Sequence, residues 1–150
     1  MNIRVIAYVK PTEDVEKVKE AVRNVFDGEI LVFEEGNGYY RIEGIAYSRK
    51  ALEKLYELIR IEQIIPATRN YLLRNTRGNT ITIMLHKQAA YMGKISLVDS
   101  DRESPLGAIR IIIEHANPRE IIDWLAPEFK PRRERGKQQR RSSRSRLDTL

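Results

Sequence analysis

The stretch "LHKQAAYMGKISL", residues 85 to 97, gathers side chains able to hold a nucleic-acid strand. Lys87 and Lys94 can meet phosphates, Tyr91 can stack on a base, and the Gln88 amide can bond a base edge. Ala89 and Ala90 are small enough for another backbone to approach closely, from within the fold or from a ligand. Gly93 marks a tight turn before "KISLV". Arg69, Arg74 and Arg77 extend the same neighbourhood. Arg69 and Arg74 stand roughly 140° apart around a helix, however, so they do not form one stripe. The segment also fits a plain crossover, with solvated lysines and Tyr91 packed over the core.

Other chemistries find less material. The chain has no cysteine, which removes disulfides and Cys-ligated metal sites. His86 and His115 stand near strand ends without H-x₃-H or H-E-x-x-H spacing, as satisfied or surface histidines do. No G-x-S-x-G elbow is present. "GNG" at 36–38 lacks the lysine and the following helix of a phosphate loop and reads as a hairpin turn. Asp99, Asp101 and Glu103 lack the later Gly and Glu of a calcium loop, and "ESPLG" at 103–107 reads as an irregular turn. With no nucleophile–base pair and no ligand set, the expectation is a non-enzyme without cofactor or metal.

Charge is distributed unevenly. The 150 residues carry a net charge of +6. From Lys130 to Leu150 there are nine Lys or Arg against two acids, whereas the first 129 residues hold 18 basic against 19 acidic. The basicity therefore belongs to the tail, where Arg132, Arg133, Arg140 and Arg141 are candidates for sequence-independent phosphate contacts. Within the body, residues 58 to 94 hold six basic residues against Glu62, so a basic surface is expected there.

The elements that would position these residues follow from periodicity. Residues 2–10 alternate as a half-buried strand rather than a signal segment, and no apolar run is long enough for a membrane span. Thr12 is read as the N-cap of a helix carrying Val15, Val18, Val22, Val25 and Phe26. "EILVFEE" and "YYRIEGIAY" form a hairpin around "GNG". Ser48 opens a second helix burying Leu52, Leu55, Tyr56 and Ile59, which Pro66 interrupts or restarts. Strands are expected at "NTITIMLHK", "KISLV" and "AIRIIIEHA", the last the most buried, at the end of the sheet. Asn117-Pro118 opens a final helix whose Trp124 is expected to pin against the sheet. The order gives an α+β fold, a mainly antiparallel sheet with helices packed on one face. One domain, 1–129, is followed by a basic tail, 130–150, too polar to offset its ordering entropy and expected to be disordered.

Four of these stretches carry a family resemblance: "KPTEDVEKVKEAV", "LHKQAAYMGKISL", "ESPLGAIRI" and "IIDWLAP". In this order, across about residues 3 to 127, they resemble a family of uncharacterised archaeal proteins to which RNA binding is ascribed. The resemblance implies an α+β fold similar to the large-subunit ribosomal protein that binds 5S rRNA, often as a homodimer. It implies no catalytic residues and says nothing of the tail.

The expectation is thus a cytoplasmic, non-enzymatic RNA-binding protein, homodimeric and associated with the ribosome or its RNA. The alternative is a homodimeric protein-interaction scaffold whose tail only solubilises it.

Overall fold

The computed structural model describes residues 1–100 and 107–128. Six antiparallel strands lie in the order β2-β3-β1-β6-β5-β4. They are β1 (Asn2–Val9), β2 (Ile30–Gly36), β3 (Tyr39–Ala46), β4 (Thr76–Arg77), β5 (Thr80–His86) and β6 (Ala108–Glu114). The helices are α1 (Val15–Arg23), α2 (Glu53–Ile61), α3 (Ile65–Arg74), α4 (Lys87–Tyr91) and α5 (Pro118–Leu125). A 3₁₀ turn, Arg49–Leu52, leads into α2. The fold class is α+β, as the element order implies.

Strict alternation decides which face is covered. Ile3, Val5, Ala7 and Val9 of β1 share one face with Ile81, Ile83 and Leu85 of β5 and Ile109, Ile111 and Ile113 of β6. The buried helix residues Val18, Val22, Leu55, Ile59, Leu72, Ile121 and Leu125 join them in one core. Phe26, just beyond α1, packs its ring against the backbone of β3. A Cβ built at Gly44 would stand 2.7 Å from Phe26 Cε2 and 3.0 Å from the Glu29 carbonyl oxygen.

Several local expectations are corrected. Asp14 caps α1 instead of Thr12: its carboxylate accepts the Glu16 N–H at 2.9 Å. A turn closed by the Glu13 N–H on the Lys10 carbonyl (2.9 Å) carries the chain past Thr12 first. As expected, the helix restarts at Pro66, which sits in the first turn of α3 after Gln63, at φ 57°, has separated it from α2. "AIRIIIEHA" is not at the sheet's end: β6 is central, between β1 and β5, and the edges are β2 and β4. "KISLV" makes a single bridge, Leu85 to Leu97, rather than a strand. Around it the chains bond directly, the Val98 N–H to the Met84 carbonyl (3.0 Å) and the His86 N–H to the Ser96 carbonyl (2.8 Å). The Tyr71 hydroxyl takes the place of one further bond, accepting the Met84 N–H (2.9 Å) and donating to the Val98 carbonyl (2.7 Å).

Trp124 is also placed differently. It is partly buried and stacks on Tyr56 of α2, with centroids 4.9 Å apart, while Arg49 lies over its ring. Besides the burial of Ile121, Ile122 and Leu125, α5 is held by two arginines at its C-terminal carbonyls, which no helical N–H can satisfy. Arg60 donates to the Leu125 and Trp124 carbonyls (3.0 and 3.2 Å). Arg69 donates to the Ala126 carbonyl (3.1 Å) and to Asp123 (2.7 Å).

Phe26→Ala is expected to cost about 3–5 kcal/mol, and Gly44→Ala about 1–3 kcal/mol by overpacking the same contact. Urea unfolding of each variant measures both. Wild-type stability in either would show that the ring and the strand backbone are not closely packed.

Candidate nucleic-acid interface

The stretch at 85–97 turns out to be a short helix between two pinned ends. β5 stops at His86, whose Nδ1 accepts the Ala89 N–H (3.3 Å) and so caps α4. Gly93 closes the helix at φ 77°, a left-handed value that glycine adopts without a Cβ penalty. The Lys94 N–H returns to the Ala89 carbonyl (2.9 Å). Beyond it the Glu62 carboxylate accepts the Ile95 N–H at 2.7 Å. The backbone that the two alanines admit belongs to the fold itself. Ala90 is fully buried, and Asn24, following α1, donates to the Ala90 and Tyr91 carbonyls (2.9 and 3.3 Å).

Lys87 is the main correction. Read as a phosphate contact, it is instead 3% exposed. Its ammonium donates to the Tyr8 carbonyl at 2.7 Å and to both oxygens of Glu13 at 3.2 Å. Glu13 Oε1 also accepts the Lys10 N–H (2.9 Å). A Cβ at Gly107 would lie 3.9 Å from the same Nζ. One buried cation thus draws together the ends of β1 and β5 and the start of α1, with Gly107, just before β6, alongside. Three of the motif stretches, "KPTED", "HKQAAY" and the glycine of "ESPLG", meet there.

Lined in part by this ion pair, an open hollow of about 350 Å³ lies between α1 and α4. Val18 and Ala21 line it with apolar atoms, and Thr12, Asp14, Lys17, Gln88 and Tyr91 give it polar and aromatic walls. Gln88 and Tyr91 are exposed, Tyr91 at 38%. The sequence alone pointed to those two and gave no sign of Thr12, Asp14 and Lys17. They looked like an ordinary helix start, and only the packing of α4 on α1 brings them opposite Tyr91.

The other candidates scatter. Arg69 is corrected too: it is mostly buried on the end of α5, so it is structural. Arg74 is exposed, pairs with Asp99 at 3.3 Å and lies over the Tyr71 ring. Arg77 is exposed and donates to the Arg74 and Thr76 carbonyls. Lys94 is exposed. Arg132, Arg133, Arg140 and Arg141 lie outside the described residues, as does most of "ESPLG". His86 and His115 both serve local backbone, His115 by accepting the Asn117 N–H at 2.8 Å. Among the described residues no cluster of three or more His, Asp or Glu could hold a metal ion, and no helix is long and apolar enough to cross a membrane.

The sequence profile of a family described as RNA binding matches residues 2–115. The chain belongs to this family. Its relatives include UPF0201 proteins of Saccharolobus solfataricus, 48% identical over 134 residues, and Aeropyrum pernix, 48% identical over 128 residues. The first match covers 85% of this chain and 88% of the relative, the second 85% of each. The crystal structure of a UPF0201 protein from Methanococcus jannaschii superposes with a TM-score of 0.76 at 33% identity, covering 87% of this chain and 96% of that one. A DUF54 protein from Methanothermobacter thermautotrophicus aligns at 0.55 and 26% identity over 83% of this chain and 96% of its own. These are archaeal proteins, and the family's description names RNA binding rather than a catalysed reaction.

Removing one member of a buried ion pair strands the other charge away from water, so Lys87→Ala is expected to destabilise by roughly 3–5 kcal/mol. Glu13→Gln combined with Lys87→Met is expected to cost less than the two single changes together. Chemical denaturation of the four proteins measures the coupling. Strict additivity would mean that the pair does not hold these elements together.

Proposed function

We propose that this protein is a non-enzymatic RNA-binding protein, acting on ribosomal or other structured RNA. The observation that carries this reading is the grouping of Tyr91, Gln88 and Lys17 around one hollow. Stacking, edge recognition and phosphate contact are the three needs of single-strand recognition, and these residue types meet them. The family description points the same way. Exposed Lys94, Arg74 and Arg77 stand apart from the hollow, Arg77 at the other end of β5, and would meet RNA separately, while the arginine-rich tail adds contacts to phosphate without regard to sequence.

A second reading has its own observation. The sheet face opposite the helices exposes Tyr8 (54%), Leu31 (56%), Phe33, Tyr39 and Ile45. The Arg4 and Arg41 guanidinium groups among them are paired with Glu43, and Arg41 with Glu35 as well. An apolar face with its charges internally matched fits a protein surface better than a polyanion, and a second copy of the chain is one such surface. The two readings are compatible, because the hollow and this face lie on opposite sides of the sheet.

RNA binding measured against salt separates body from tail. A chain ending at residue 129, checked by circular dichroism, is expected to keep weak binding. Every cation withdrawn from a phosphate should flatten the log K versus log salt slope by about 0.7 for a single strand. Tyr91→Ala should cost about 1–3 kcal/mol with little change in that slope. A shortened chain that is folded but silent at low salt would leave the tail as the whole RNA-binding element. For the second reading, sedimentation of the full chain is expected to show a dimer that Phe33→Glu and Ile45→Arg disperse; a monomer at high micromolar concentration would dismiss it.

A further inference from the structure

The hollow between α1 and α4 is shaped for more than a passing contact. Its volume of about 350 Å³ falls within the roughly 300–1,000 Å³ of small-ligand sites. Its apolar part, Val18 and Ala21, belongs to a regular helix, and the phenol of Tyr91 stands on a helix tied down by Asn24. The buried Lys87–Glu13 pair fixes the segment that carries Thr12 and Asp14. The backbone that carries the walls is therefore set before any ligand arrives, which lowers the cost of binding.

The polar rim selects among flat ligands. Asp14 accepts the Glu16 N–H with one carboxylate oxygen, and its second oxygen has the capacity to accept further hydrogen bonds. Gln88 supplies an amide with both donor and acceptor, and Lys17 a cation one turn along α1. A carboxylate favours a base edge that presents donors. Guanine offers N1–H and the N2 amino group side by side, whereas uracil offers one N–H between two carbonyl oxygens. We propose that the hollow is a nucleotide subsite that receives one extruded guanine, stacked on Tyr91, read by Asp14 and Gln88, with its phosphate toward Lys17. Its use on RNA rests on the RNA-binding reading above, but its occupancy by a nucleotide does not.

The test uses the full chain and four probes: GMP, UMP, inorganic phosphate, and a short single-stranded RNA with or without a guanine. Amide chemical shifts of residues 12–21 and 87–91 report binding. GMP is expected to saturate these shifts, UMP to bind about tenfold more weakly, and phosphate alone to leave them unmoved. Tyr91→Ala should weaken GMP by about tenfold or more. Asp14→Asn retains helix capping, since Asn caps as well as Asp, and should narrow the preference for GMP over UMP. Equal shifts with all three small probes, no shift with GMP, or an unaltered preference in Asp14→Asn would overturn the proposal. RNA binding that ignores guanine, with no response to GMP, removes the subsite and leaves the RNA-binding reading standing. GMP binding without any RNA binding keeps the subsite and removes that reading.

Discussion

One ammonium group closes the end of the sheet. Lys87 Nζ reaches a carbonyl at the end of β1 and a carboxylate at the start of α1 from its own place after β5. Its side chain and that of Glu13 are 4% and 7% exposed, so two charges have been taken out of water. Desolvation of that kind offsets much of the Coulomb attraction. What the pair provides is geometry: three chain segments must meet within hydrogen-bond distance, or a charge is left buried without its partner. The hollow beside it depends on this closure, because Thr12 and Asp14 hang on the same segment as Glu13.

The two sides of the sheet divide the remaining work. On the helical side the core is continuous and apolar, and the basic residues that reach it act as braces. Arg60 and Arg69 complete the hydrogen bonding at the end of α5, where helical geometry leaves carbonyls without donors. The excess of basic residues in 58–94 thus does not translate into a basic surface of the same size: Lys87, Arg69 and Arg60 are consumed internally. On the other side, strand alternation places Tyr8, Leu31, Phe33 and Ile45 in water beside matched Arg–Glu pairs.

These placements shape how a nearly neutral body would hold a polyanion. With Lys87 held in its ion pair, attraction to phosphate near Tyr91 supplies less of the affinity, and stacking with edge contacts must supply more. Binding by the body would then be weakly salt-dependent and selective, while binding by a tail with nine basic residues would be salt-dependent and indifferent to sequence. The match to a family described as RNA binding covers residues 2–115, the body alone.

Period and punctuation in the sequence determined much of the fold. The alternation of β1, β5 and β6, the hairpin at Gly36–Asn37–Gly38 and the helix faces of Val18, Leu55 and Ile59 are local signals, set by side-chain direction and backbone sterics. Tyr91 and Gln88 were legible as candidate contacts because their types and spacing carry that chemistry. The tertiary structure alone decided the rest. A lysine reads as a surface cation until an acid 74 residues away in sequence is folded against it. Strand order put β6 at the centre, and the Tyr71 hydroxyl, reaching from α3, took the place of one backbone bond between β5 and "KISLV". Asp14 and Lys17 became walls of a hollow only when α4 docked on α1. Such contacts leave no periodic trace, because they depend on which distant segments the core brings together.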